Sequence, residues 1–206
     1  MRGRDPHTRC AVLYPAIAEA ARRAGSDAIG LIDVGGSAAL DVDRVGITYS
    51  NGQALGDPSA PVQLSSSVVG DRPIPTRALP EIVVRAGVET LDVPAAFAEV
   101  PADALPVVTT TWALSQLPLD GRLRFLQGLD AAATGRTVAW VSLEGVGVAP
   151  AIPTLGDRRA SGHSIIGLAL LERSNLHAEA IGRCWSRGRW LAWLAQTQAA
   201  DDAAVV

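Results

Sequence analysis

The run AIGLIDVGG, residues 28–36, constrains the fold more than any other stretch of the chain. It is apolar up to Asp33, bounded by glycine, too short for a helix and too continuous for a half-solvated strand. That pattern predicts a fully buried strand in a parallel sheet. The preceding segment, from His7 to Arg23, has an amphipathic pattern that predicts a helix closing at Gly25.

From Leu105 onward the alternation of α and β returns. LPVVTTTWAL reads as a strand, PLDGRLRFLQGLDAAA as a helix with Leu119, Leu123, Leu126 and Leu129 on its apolar stripe, and RTVAWVSLEG as the next strand. Between these α/β parts lies a β insertion over about residues 46–80, with Asn51-Gly52 as its hairpin dipeptide. PEIVVRAGVETLDV supplies a further strand, ending at Gly87 or Glu89. Residues 145–163 read as a Gly/Pro-rich loop. The segment SIIGLALLERSNLHAEAIGRCW reads as an antiparallel hairpin around Ser174-Asn175, and GRWLAWLAQ as a short helix with Trp190 and Trp193 on one face. The expected whole is a single α/β domain over 1–206, with a flexible tail from about residue 198.

Charge and cysteine usage remove several function classes. The net charge is −3 and all 18 basic residues are arginine, with no clustered positive field for nucleic acid or anionic lipid. Cys10 and Cys184 stand alone, without CxxC or Cys/His spacing, so neither a metal site nor a disulfide framework is indicated. The N-terminus has the basic start and short apolar stretch of a secretory signal, but Pro15, Glu19, Arg22 and Arg23 suit the helix better. No apolar run approaches the ~20 residues of a membrane span, which makes the cytoplasm the expected location.

The stretch LIDVGGSAAL supports three readings. A strand ending in an acid and followed by Gly35 and Gly36 suits a nucleotide-type cofactor, because glycine lets a ligand approach the backbone. Gly36-Ser37 also has the look of a nucleophile elbow, with His163 or His177 as the base of a serine hydrolase. The third reading is a tight turn with no ligand. Glu144 ends a strongly apolar strand, which puts a carboxylate at the carboxyl edge of the sheet, where open α/β folds gather ligands and where burial raises its pKa.

Taken in order, HTRCAVLYPAIAEAARRAGSDAIGLIDVGGSAAL, GDPSAPVQL, PEIVVRAGVETLDV, VAWVSLEG and RGRWLAWL resemble the bacterial family called domain of unknown function 2332. Its loop after the first strand looks like motif I of class I S-adenosylmethionine-dependent methyltransferases. The resemblance implies a Rossmann-like, class I methyltransferase-like fold: a mostly parallel sheet with a β-hairpin insertion and a C-terminal antiparallel hairpin. It implies S-adenosylmethionine as cofactor and a small molecule as methyl acceptor. Asp33, Gly35, Gly36, Ser37 and Ala38 then form the turn facing the cofactor, and Glu89 stands where a carboxylate binds the ribose hydroxyls. Thr110, Thr111, Trp112 and Gln116 border the cleft, and Glu144 lies near the acceptor as the catalytic candidate.

The chain departs from the pattern in several ways. Ala39 replaces a glycine, Asp41 replaces an asparagine, Arg187 replaces a histidine, and only PAAFAEVPADAL connects the LDV region to the PVVTTTWAL strand, where the family has additional helices and a strand. The chain therefore resembles a shortened member. That supports a second expectation: a noncatalytic protein that binds a partner or self-associates as a homodimer.

Overall fold

The computed structural model describes residues 6–36, 38–88, 93–173, 175–185 and 188–196. A short 3-10 turn at Pro6–Arg9 leads into helix α1 (Cys10–Ala24), which ends where Gly25 takes the left-handed conformation and its N–H bonds the carbonyls of Ala21 and Arg22. On α1, the buried Glu19 accepts from both Arg22 and Arg23, so the one acid of the helix goes into the interior already paired.

Strand β1 (Ala28–Val34) is buried from Ile29 to Val34, as its apolar run requires. The insertion follows as β2 (Val45–Tyr49), β3 (Ala54–Gly56) and β4 (Val62–Val68), with β2 and β3 joined through Asn51-Gly52. Then come β5 (Glu81–Val88), the single-turn helix α2 (Pro94–Ala98), β6 (Leu105–Thr111), α3 (Leu119–Ala132) and β7 (Val138–Gly145). The chain closes with β8 (Ser164–Glu172), β9 (Asn175–Trp185) and β10 (Trp190–Trp193).

The ten described strands form one sheet in the order β3-β2-β4-β10-β9-β8-β7-β6-β1-β5. Strands β5, β1, β6 and β7 are mutually parallel, β7 to β10 form an antiparallel meander, and β10 runs parallel to β4. The fold is thus mixed α/β, with a mostly parallel central sheet and added antiparallel strands. Two cores flank it. On one face α1 packs against Leu31, Val107, Val141, Leu143 and the inner residues of β2 and β4. On the other, α2 and α3 pack against Ile32, Val34, Val108 and Trp140.

Two local expectations change. The segment from Trp190 is a strand, not a helix, because Leu191 and Trp193 alternate inward with Trp190 and Ala192, and the gap between β4 and β9 offers backbone partners on both sides. The inner face of α3 is carried by Phe125 and Leu129, with Leu126 partly buried; Leu119 and Leu123 are 66% and 44% exposed. The Phe125 ring meets Trp140 edge-on, with centroids 5.3 Å apart, and that contact sets the rotation of the helix. Both cysteines are buried free thiols. No described helix is long and apolar enough to cross a membrane.

Candidate functional site

The chain runs from β1 to β5 on one side of β1 and then crosses to β6 on the other, so the strand order reverses between β1 and β6. In open α/β sheets such a reversal leaves a crevice outside the carboxyl ends of the strands. Asp33, Gly35, Gly36, Thr111, Trp112 and Glu144 all lie at this edge, at or just past the ends of β1, β6 and β7.

Asp33 is 2% exposed and both its oxygens are engaged: Oδ1 accepts from Thr109 Oγ1 at 2.7 Å, and Oδ2 accepts from the Ala39 N–H at 3.1 Å. Burial raises its pKa against the opposing pull of those hydrogen bonds and of the Arg9 charge. Ala39 is fully buried, so its methyl fills the core and not the space over the turn.

Gly35 has φ +77° and donates its N–H to Val88 O at 2.9 Å. A Cβ added there would lie 2.7 Å from Ala113 Cβ, so the loop after β1 is closed on that side by the turn after β6. Gly36 is exposed and open: an added Cβ would meet only Asp33 Oδ2, at 3.8 Å. Ala38 begins a 3-10 turn, Ala38–Asp41. Ser37 and Glu89 lie outside the described residues; β5 ends at Val88, paired with Val34 of β1.

Thr111 is buried and its Oγ1 has no hydrogen-bond partner. Trp112, with φ +54°, turns the chain off the sheet at a backbone conformation costly for a bulky residue. Its Nε1 donates to Ser164 Oγ at 2.9 Å, and the Arg9 guanidinium lies 5.0 Å from the ring centroid.

Glu144 is 1% exposed; Oε1 accepts from the Leu114 N–H at 3.1 Å, and Oε2 has no partner. Burial lifts its pKa to about 7 despite the nearby N–H groups of Leu114, Ser115 and Ala113 and the Arg122 charge. Arg122 Nε donates to the carbonyls of Leu114 and Leu117, both at 2.9 Å, so the turn after β6 is held from two sides.

The structure brings these residues to one edge but not to one face. Asp33, between Ile32 and Val34 of the α2/α3 core, shares the α1 face with Thr109 and Thr111; Glu144, next to Leu143 of the α1 core, points to the α2/α3 face. Sequence reasoning missed Thr109 and Ser164, whose partners Asp33 and Trp112 are distant in sequence, and Arg122, which bonds backbone carbonyls of the nearby turn that no side-chain pattern marks.

Of the hydrolase candidates, His163 Nε2 lies 2.9 Å from Asp157 Oδ2, and the same carboxylate accepts from Arg183. His177 is exposed on β9. Among the described residues no group of three or more His, Cys, Asp or Glu side chains is placed to hold a metal ion.

A family model described as an uncharacterized protein conserved in bacteria, domain of unknown function 2332, matches residues 6–93 and 89–193. No curated protein and no solved structure matches the chain.

Proposed function

The chain belongs to that bacterial family, and from this premise we propose that it is a small-molecule methyltransferase taking S-adenosylmethionine at the carboxyl edge of β5, β1 and β6. The observation that carries the reading is the strand reversal beside β1, with the exposed, sterically open Gly36 at its rim and the end of β5 alongside. Those features fit a nucleoside cofactor approaching the backbone at Gly36, with its ribose toward the end of β5 at Val88.

When bound, the cofactor supplies an electrophilic methyl group on a sulfonium. The residues of this chain bind and orient. Asp33 acts as a positioning residue, holding Ala39 and Thr109 so that Gly36 keeps its place at the rim. Glu144 fixes the turn through Leu114 and, with a pKa of about 7, changes charge near neutrality. Alignment of donor and acceptor provides most of the acceleration in such a transfer, so no triad is needed.

Isothermal calorimetry with S-adenosylmethionine and S-adenosylhomocysteine tests the reading. Binding of either in the micromolar to millimolar range, lost in Gly36→Val, supports it; a folded chain that binds neither at millimolar concentration overturns it.

A second reading, a shortened noncatalytic relative that associates with itself or a partner, has its own support. Both Asp33 oxygens face inward, Gly35 is packed on Ala113, and the two matched family segments meet at residues 89–93, next to the short connection into β6. A concentration-dependent dimer in sedimentation, together with absent cofactor binding, would favour it.

A further inference from the structure

The part of the sheet made by β2, β4 and β10 has one face in the core and one face bare. Val45, Ile47 and Tyr49 of β2 and Leu64 and Ser66 of β4 are buried, whereas Thr48, Ser65 and Ser67 between them are exposed. Thr48 pairs with Ser65, and Ser67 pairs with the half-buried Trp190, so hydroxyls and one indole are neighbours on the bare face. Near the ends of β2 and β4 lies a hollow of about 360 Å³, lined by residues 48–50, residues 65–67 and Arg189.

Arg189 is fixed there by its backbone. Its N–H donates to Trp185 O, its carbonyl accepts from the Ser67 N–H at 3.0 Å, and the preceding Gly188 carbonyl accepts from Ser66 Oγ at 2.7 Å. Its side chain is exposed, and among the described residues it makes no hydrogen bond or ion pair. Arg44, Arg85, Arg124 and Arg183, by contrast, each rest on a carboxylate. Among the described residues no Asp or Glu lines the hollow. Ser50 Oγ accepts from the Val68 N–H at 2.9 Å, which leaves its own hydrogen to donate.

A guanidinium among hydroxyl donors, without a competing acid, complements a ligand group that only accepts hydrogen bonds and carries negative charge. A phosphate monoester is such a group. The hollow lies in the size range of small-molecule sites and exceeds what a bare phosphate fills. The remaining space is bordered by serine and threonine hydroxyls, which match a polyhydroxylated skeleton. We propose that this hollow binds a small sugar phosphate, with Arg189, Ser65 and Ser67 meeting the phosphate oxygens.

The proposal does not rest on the cofactor reading, since none of these residues belongs to the β1–β6 edge. The two places are nevertheless related. A single register row passes from Gly145 at the end of β7 through Ser164, Cys184 and Leu191 to Val68. The hollow therefore lies level with the edge that carries Glu144.

The test is an NMR titration of the 15N-labelled chain with ribose 5-phosphate, inorganic phosphate and ribose, in wild type and in Arg189→Gln. Ribose 5-phosphate is expected to shift the amides of residues 48–50, 65–68 and 189–190 with millimolar affinity, more tightly than inorganic phosphate and with no response to ribose. R189Q should weaken this by about tenfold or more, the worth of a charge-assisted hydrogen bond, while its urea midpoint stays at the wild-type value. No shift at these amides at tens of millimolar ribose 5-phosphate overturns the site, as does undiminished affinity in R189Q. Equal affinity for inorganic phosphate overturns the sugar part of the proposal. Binding of S-adenosylmethionine, measured on the same variant, is expected to be unchanged, so the two readings fail separately.

Discussion

Asp33 and Thr109 face each other in register across β1 and β6, and the threonine hydroxyl donates to the aspartate at 2.7 Å. The other carboxylate oxygen receives the Ala39 N–H six residues further along. An acid that sequence pattern assigns to a ligand thus ties the loop after β1 to the sheet from beneath.

Removing that tie should destabilise the chain without touching its surface. Asp33→Ala leaves the buried Ala39 N–H unsatisfied and the Thr109 hydroxyl with only the Ile32 carbonyl, at 3.4 Å, and is expected to cost about 2–4 kcal/mol, whereas Asp33→Asn, which keeps one acceptor, costs less. Urea denaturation of both variants checks this; equal midpoints for wild type and D33A would refute the tie.

The two glycines of the turn should behave differently. Gly35→Ala puts a methyl 2.7 Å from Ala113 Cβ at φ +77° and is expected to cost about 1–3 kcal/mol. Ala113→Gly in the same chain recovers the steric part but not the backbone part, which a double-mutant cycle separates. Gly36→Ala makes only an ordinary contact with Asp33 Oδ2, at 3.8 Å, and leaves the denaturation midpoint near wild type.

Glu144 makes stability depend on pH in a defined direction. Its folded pKa of about 7 lies above the ordinary 4.5, so the folded state binds the proton more tightly. The resulting stability is complete below pH 4.5 and is lost as pH rises through about 7; Asp33, also raised by burial, acts in the same sense. Glu144→Gln should remove most of this slope and exceed wild type at pH 8 by up to ~3 kcal/mol. Denaturation curves at pH 5 and pH 8 measure it, and an unchanged slope in E144Q contradicts the assignment.

The thiols should be silent until the chain unfolds. Cys10 and Cys184 are both 0% exposed, and burial pushes the Cys184 thiol up to about 12, while only a thiolate attacks a disulfide reagent. Ellman's reagent is expected to find no reactive thiol in the native chain and both in guanidinium chloride. Rapid native labelling would mean that the α1 face opens.

The central strands were legible because buried parallel strands are written in composition alone: AIGLIDV and LPVVTTT leave few other choices. The end of α1 was legible because Gly25 is a local signal. The identity of β10 was not, since four residues carry too short a period, and the pairing of Trp190 with Ser67 and Trp185 exists only in three dimensions. The buried stripe of α3 was misplaced because Leu119 and Leu123 have the right spacing, yet the aromatic contact between Phe125 and Trp140 decides which side turns in. Asp33 and Glu144 were found by position at strand ends, but their inward commitment depends on Thr109 and Leu114, whose proximity no local pattern announces.

The strand Trp190–Trp193 is the only described bridge between β4 and β9, and it follows every other strand in the chain. During synthesis the unit of β2, β3 and β4 must wait, with β4 unpaired on its far edge, until Trp190–Trp193 has left the ribosome. Loss of those four residues would leave two half-sheets with raw margins, a form prone to pair with copies of itself.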